Sequence, residues 1–229
     1  MNYIGIDIGS TCAKTVVLNE KKEFIQEFVQ PTGWSSVDTA EEILQKLKLA
    51  GINLSDDPSC CVATGYGRIS VPYADKAVTE ITCHALGAVH LFHQPDLTVI
   101  DIGGQDTKII QIEQGFVKDF IMNDKCAAGT GRFLEVMANT LSLRPNEMFD
   151  LARLGSDTTI SSMCTVFAES EVIGLIGKGE PKENIAYAVV DSTIRKVTAQ
   201  LSRMNGEMST FCLTGGLCAV SYTHLRAHE

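Results

Sequence analysis

Apolar and polar positions alternate with a period of two through YIGIDIG, residues 3–9, and further strand-like stretches follow at 14–18 and 22–29. That pattern predicts a three-strand meander. AEEILQKLKLAGI, residues 40–52, instead spaces its apolar positions with a helical period, and CCVATGYGR then reads as a strand running into a turn. Thr79 to His93, a stretch of small and apolar residues, predicts a helix, and Leu97 opens a new strand pattern. Further helices are expected at Gly129 to Leu141, Phe167 to Ile176 and Lys182 to Met204, before FCLTGG ends the series as a strand and a glycine turn. No low-complexity linker interrupts the chain. The expected organisation is therefore two lobes, 1–95 and 96–220, dividing near Pro95 and facing each other across a cleft.

The second strand pattern repeats the first. GIDIGSTCAK, residues 5–14, returns without gaps as VIDIGGQDTK, residues 99–108. Ile6, Asp7, Ile8, Gly9 and Lys14 match Ile100, Asp101, Ile102, Gly103 and Lys108, and each copy continues into an apolar strand, TVVL or IIQI. This is a candidate internal duplication of one strand, Gly turn, strand unit. A turn of small residues presents successive backbone N–H groups to phosphate oxygens and lets the phosphate approach the backbone. Ser10, Thr11 and Cys12 beyond Gly9 would line the first phosphate loop, and Gly103, Gly104 and Gln105 the second. Asp7 and Asp101, at the strand ends, could hold a hydrated Mg²⁺ and orient a water; Gln105 and Asp106 are further candidates for that water. Lys14 and Lys108 are ambiguous: the bland reading of each is a solvated strand lysine, and for Lys14 the alternative is the phosphate contact implied by the superfamily resemblance given below. Gly215 and Gly216, after Leu213 and Thr214, offer a flat surface for an adenosine. Neither GxxxxGK[ST] nor GxGxxG occurs, which removes the Walker and Rossmann alternatives.

Composition narrows the partners. A formal net charge of −9 over 229 residues argues against nucleic acid or an anionic membrane as the main partner. No apolar run approaches the roughly eighteen residues of a bilayer span, and the N-terminus enters a strand without a charged leader, so a cytoplasmic location is expected. Eight cysteines in a reducing compartment read as core residues or metal ligands rather than disulfides.

The order of the three glycine motifs resembles the actin, Hsp70 and sugar-kinase superfamily of ATPases, which implies an α/β fold of two similar ribonuclease-H-like lobes around a nucleotide cleft. NDKCAAGTGRFLEVMA, residues 123–138, and MCTVFAESEVI, residues 163–173, taken with DIGGQDTK, are more specific. They resemble the activator ATPases of 2-hydroxyacyl-CoA dehydratases and the related ATPase subunits of benzoyl-CoA reductase, over roughly residues 1–218. The resemblance implies a homodimer sharing one [4Fe–4S] cluster, two cysteines per subunit, at positions matching Cys126 and Cys164. It also implies ATP and ADP as the nucleotides, a ferredoxin or flavodoxin as electron donor, and a low-potential electron passed to a dehydratase in anaerobic metabolism. ATP hydrolysis would act as a conformational switch.

Local reading of the cysteines runs the same way. Each precedes an expected helix, whose positive N-terminus favours a thiolate, and two per chain supply half of a four-thiolate cluster. Gly129 and Gly131 would let the helix start approach its neighbours and the nucleotide closely. Glu169 is expected behind the cluster or cleft and Glu171 on the surface. His84, His90 and His93 read as core or surface residues, Cys60 and Cys61 as adjacent strand residues on opposite faces, and Trp34 and TGYGR remain without a role.

Two other readings compete: the ATPase subunit of a benzoyl-CoA reductase, and a small-metabolite kinase of the same superfold. A stand-alone homodimer favours the dehydratase activator, and no inserted sugar domain is visible. After LTGG the resemblance fades, and residues 221–229 look foreign to the family pattern; the expectation is a chain cut short, with His224 and His228 carrying no function.

Overall fold

The computed structural model describes residues 1–54, 58–161, 164–204 and 210–216. The tail at 221–229, with Cys218, His224 and His228, lies outside them. The chain divides into two compact units, Met1–Gly87 and the residues from Ala88 onward.

The first unit is built on β1 (Asn2–Ile8), β2 (Cys12–Leu18) and β3 (Phe24–Pro31), followed by α1 (Ser36–Leu49), β4 (Ser59–Thr64) and a short β5 (Lys76–Ala77). The expected meander is present: β2 pairs antiparallel with both β1 and β3, while β4 pairs parallel with the other edge of β1, giving the order β3-β2-β1-β4-β5. Alternation decides the faces. Ile4, Ile6 and Ile8 of β1 point inward at 2% exposure or less, with Ala13 and Val17 of β2 and Ala40, Ile43 and Leu47 of α1 packed on them. α1 begins earlier than its apolar spacing suggests, because the Ser35 Oγ accepts the Asp38 N–H at 3.2 Å and caps the first turn.

α2 (Glu80–Phe92) leads into the second unit, where β6 (Leu97–Ile102), β7 (Thr107–Glu113), β8 (Phe116–Asn123) and β9 (Phe211–Thr214) form a sheet ordered β8-β7-β6-β9. β8 is a strand the sequence reading passed over. Gln114 and Gly115, both at positive φ, form the tight turn that folds it back on β7. The helices are α3 (Gly131–Thr140), α4 (Pro145–Ala152), α5 (Thr165–Gly177) and α6 (Lys182–Leu201). α4 was also passed over; its signal is Pro145 in the first turn with Glu147 two residues on, whose carboxylate accepts the Arg144 backbone N–H at 2.8 Å and its guanidinium at 2.7 Å. Phe133, Leu134, Met137, Met148, Val172, Ile185 and Val189 form the helical core. Among the described residues no helix is long and apolar enough to cross a membrane.

The duplication extends beyond the hairpin. β1 places Asp7 opposite Lys14 on β2 and opposite Thr64 on β4, and β6 places Asp101 opposite Lys108 on β7 and opposite Thr214 on β9. TGYGR is thus the first unit's counterpart of LTGG. The correspondence reaches the backbone: Gly65 and Gly215 both lie at positive φ, +83° and +95°. A Cβ at Gly65 would meet Asp7 Oδ1 at 2.4 Å and the Ile8 oxygen at 2.5 Å, and one at Gly215 would meet the Ile102 oxygen at 2.3 Å and Asp101 Oδ1 at 2.8 Å. In each unit a glycine therefore lets the end of the fourth strand close over the aspartate of the first.

Candidate functional site

Both Gly turns have the same wiring. The Gly9 N–H donates to the Cys12 oxygen at 3.1 Å and the Gly103 N–H to the Asp106 oxygen at 2.9 Å, so Ser10-Thr11 and Gly104-Gln105 form the exposed tips. The carbonyls of each turn are occupied from within its own unit. Thr32 donates its N–H to Thr11 at 3.0 Å and its Oγ1–H to Gly9 at 2.6 Å. In the second turn the donors are the Gly131 and Arg132 N–H groups at the start of α3, reaching the Gly103 and Gly104 oxygens at 2.9 and 2.8 Å. No hydrogen bond among the described residues engages the N–H groups of Ser10, Thr11, Gly104 or Gln105. Carbonyls held behind and donors left at the tip make a nest suited to an anion.

The acids of the two turns differ. Asp7 is 36% exposed at its side chain and pairs with the 54% exposed Lys14 at 3.1 Å. Asp101 is buried, its Oδ1 accepting from the Thr214 hydroxyl at 3.0 Å and its Oδ2 lying 3.5 Å from the Lys108 ammonium. Lys108 is no solvated strand lysine: its side chain is 8% exposed and its Nζ also pairs with Asp106 at 2.7 Å. The reason is that β7 is buried along both faces from Thr107 to Ile112, whereas β2 alternates. Asp106 packs its carboxylate against Gly103, where a Cβ would stand 2.4 Å from Oδ1. Of the acidic and amide candidates at the second turn, Gln105 is the one at its exposed tip.

Residues 123–132 follow the second turn and are tied to it. Besides the two α3 bonds, the buried Thr107 hydroxyl at the start of β7 donates to the Gly129 oxygen at 2.7 Å. Gly131 has no room for a side chain, since a Cβ would stand 3.1 Å from the Gly103 oxygen. Its close approach is to the second turn. α3 starts two residues later than expected because Gly129, at φ +85°, and the extended Thr130 precede it. Cys126 is therefore not at the helix terminus but in a loop ahead of it, half-buried, with its carbonyl and that of Ala128 held by the Asn123 amide at 2.9 and 3.3 Å. The Lys196 ammonium, from α6, lies 3.7 Å from the Cys126 sulfur.

Cys164 matches its expectation more closely. It is the exposed N-cap of α5, with an extended backbone and no side-chain capping bond of its own. Two residues, 162 and 163, separate it from Ser161, whose N–H and Oγ both reach the Glu171 carboxylate at 3.1 to 3.3 Å. Glu171 thus pairs with Ser161 at the surface, and Glu169 accepts from Thr140 at 3.3 Å, linking α5 to α3. Behind Cys164, α5 exposes Val166, Phe167, Ile173 and Ile176 at 46% to 67%.

The other cysteines and histidines fall away. Cys61 is buried in β4 beside the half-buried Cys60, and burial first, then Asp75 and Cys60, pushes its thiol up to about 12, so it stays an unreactive thiol. His90 and His93 stack edge-on at 6.3 Å, and among the described residues no group of three or more His, Cys, Asp or Glu side chains converges as a metal site. Sequence reasoning missed Asn123, Thr107, Lys196 and the Thr64-Gly65 pair. Only the last carried a signal, the recurrence of Thr-Gly after a short apolar strand.

A family model for the BadF/BadG/BcrA/BcrD ATPases matches residues 4–225. The (R)-2-hydroxyglutaryl-CoA dehydratase activating ATPase of Acidaminococcus fermentans is 43% identical over 220 residues, covering 93% of this chain and 82% of that protein. Among solved structures, the activator of the 2-hydroxyisocaproyl-CoA dehydratase from Clostridium difficile with bound ADPNP superimposes with a TM-score of 0.84 at 35% identity, over 97% of this chain and 82% of that one. The ethanolamine utilization protein EutJ from Carboxydothermus hydrogenoformans shares the fold alone, at 14% identity and a TM-score of 0.61 over 96% of this chain and 78% of that one. The chain has the α/β fold of the actin-like ATPases and sugar kinases.

Proposed function

Because this chain belongs to the BadF/BadG/BcrA/BcrD ATPase family, we propose that it hydrolyses ATP to activate a 2-hydroxyacyl-CoA dehydratase by low-potential electron transfer. Gly9, Ser10, Thr11 and Cys12 and, in the second unit, Gly103, Gly104 and Gln105 contribute phosphate-binding N–H groups. Gly215 and Gly216 lie against the adenosine. A hydrated Mg²⁺ uses one or two carboxylates and takes its remaining ligands from phosphate and water. The half-exposed Asp7 fits that role, whereas both oxygens of Asp101 are engaged inside the protein. Gln105 orients the attacking water, Lys14 releases Asp7 to meet the phosphates, and Asp101 and Asp106 hold the shape of the second turn.

The observation that carries the electron-transfer half of the reading is the junction at residues 103–107 and 129–132. Three hydrogen bonds, from Gly131, Arg132 and Thr107, join the turn assigned to phosphate to the segment that bears Cys126. A turn that moves when a phosphate arrives or leaves must move that segment with it. Cys126 and Cys164 each offer a sulfur outside the core, one half-buried and one exposed at a helix N-terminus. Two thiolates per chain suit half of a [4Fe–4S] cluster completed by a second protomer. The apolar residues that α5 exposes behind Cys164 provide a surface for that protomer. A cluster held this way supplies one-electron transfer at low potential, with a ferredoxin or flavodoxin as donor.

The test is iron and acid-labile sulfide per protomer after anaerobic purification, together with oligomer mass. About two irons per chain in a dimer are expected, lost in either Cys126→Ala or Cys164→Ala. A folded, nucleotide-binding wild type without iron after reconstitution would overturn the electron-transfer reading and leave an ATPase of another kind.

A further inference from the structure

Lys196 belongs to none of the motifs above, yet its placement is built. It projects from α6, its stem crosses Gly129, and its ammonium ends 3.7 Å from the Cys126 sulfur. A Cβ at Gly129 would stand 3.2 Å from Lys196 Cγ and 3.4 Å from its Cβ and Cδ, so the missing side chain at 129 is what lets the stem through. Lys196 is half-buried and makes no ion pair among the described residues. It lines a cavity of about 530 Å³ together with Asn123, Ser161, Arg195, Gln200 and Arg203, and no described lining residue is acidic. Arg195 pairs with Asp191 at 2.7 Å, but among the described residues neither Lys196 nor Arg203 has such a partner. A chain carrying nine net negative charges thus keeps a cation against one of its sulfurs, with no described carboxylate paired to it.

We propose that Lys196 is a positioning residue that holds one positive charge at the Cys126 sulfur and so raises the reduction potential of the iron group that sulfur ligates. The inference rests on the cluster reading. Reduction adds one electron and one negative charge to the group, with no bond made or broken, and a fixed cation at a ligand sulfur stabilises the more negative state. Arg203, just beyond the C-terminal end of α6, lines the same cavity and adds to the same field without touching the sulfur.

The experiment compares the anaerobically purified full chain as wild type, Lys196→Met and Lys196→Arg, by iron content and by redox titration followed by EPR. Lys196→Met is expected to keep its iron, while at the wild-type midpoint its ratio of reduced to oxidised cluster falls at least tenfold, 59 mV for a one-electron couple. Lys196→Arg stays within twofold. An unchanged midpoint in an iron-replete Lys196→Met protein overturns the proposal. A second arm needs no iron: in apo protein, the rate of Cys126 alkylation by anionic iodoacetate relative to neutral iodoacetamide, read by peptide mass. That ratio is expected to fall at least threefold in Lys196→Met and to recover in Lys196→Arg; an unchanged ratio means the charge is not at the sulfur. A wild type without iron would overturn the cluster reading, and with it the potential, whereas iron with no Lys196 effect would overturn this inference alone.

Discussion

The two Gly turns start from the same ladder and end in different electrostatic environments. In the first, Asp7 and Lys14 face each other where side chains reach water; in the second, Asp101, Lys108 and Asp106 are shut inside the unit at 8% to 10% side-chain exposure. The pairing register is identical, so the difference is made by what covers each sheet rather than by the hairpin. β2 has one open face and β7 has none. The repeated unit thus carries a water-exposed charge pair in one copy and a buried charge cluster with an exposed tip in the other. The buried cluster belongs to the turn bonded to the Cys126 segment, and rigidity is what such a link requires.

The lysines break the comparison most sharply. Lys108→Met leaves two buried carboxylates without their cation and is expected to destabilise the second unit by about 3–5 kcal/mol. Lys14→Met removes an exposed pair and is expected to cost less than about 1 kcal/mol. Urea unfolding of the two variants decides it: similar midpoint shifts would mean that the burial difference has no energetic content.

The glycines test the likeness instead. Gly65→Ala and Gly215→Ala each force a left-handed backbone on a residue with a Cβ, at about 1–2 kcal/mol, and also drive that Cβ into a strand-end oxygen of the same unit. Both are expected to lower thermal stability by comparable amounts. A harmless Gly65→Ala would show that TGYGR only resembles LTGG in sequence.

How much of this was legible without coordinates depends on the range of the interactions. The hairpins, the Thr-Gly turn at 214–215 and the cysteine segments were readable because each is carried by a few consecutive residues. Lys108 was not, although IIQI beside it is an apolar run broken only by Gln111, close to the near-continuous pattern of a strand buried on both faces. The α3 start was misplaced because Gly129 sits at φ +85° rather than in a helical conformation, with the stem of Lys196, 67 positions away in the chain, packed where its side chain would be. Thr107 and Asn123 act through single hydrogen bonds to backbone carbonyls, and nothing in residue type or spacing announces such a bond. Asp7 and Asp101 look alike in sequence, and only their surroundings separate the exposed acid, proposed to face the metal, from the buried one.

The smallest expected effect, that of Thr64→Val, is the most discriminating when set against Thr214→Val, because the two concern one hydroxyl in each unit at the same register position. Thr214 donates to Asp101 at 3.0 Å, whereas the Thr64 Oγ1, opposite Asp7, is buried with no hydrogen-bond partner among the described residues. Thr214→Val should therefore cost about 1.5–3 kcal/mol, the range for a hydrogen bond to a charged group. Thr64→Val removes an unsatisfied buried oxygen at nearly constant shape and should be neutral or slightly stabilising. Chemical denaturation of both variants reads the difference directly, and a loss at Thr64 equal to that at Thr214 would mean that its hydroxyl bonds Asp7 in solution. In that case Asp7 would be held from behind as Asp101 is, and the first turn would lose the freedom that suits it to the metal.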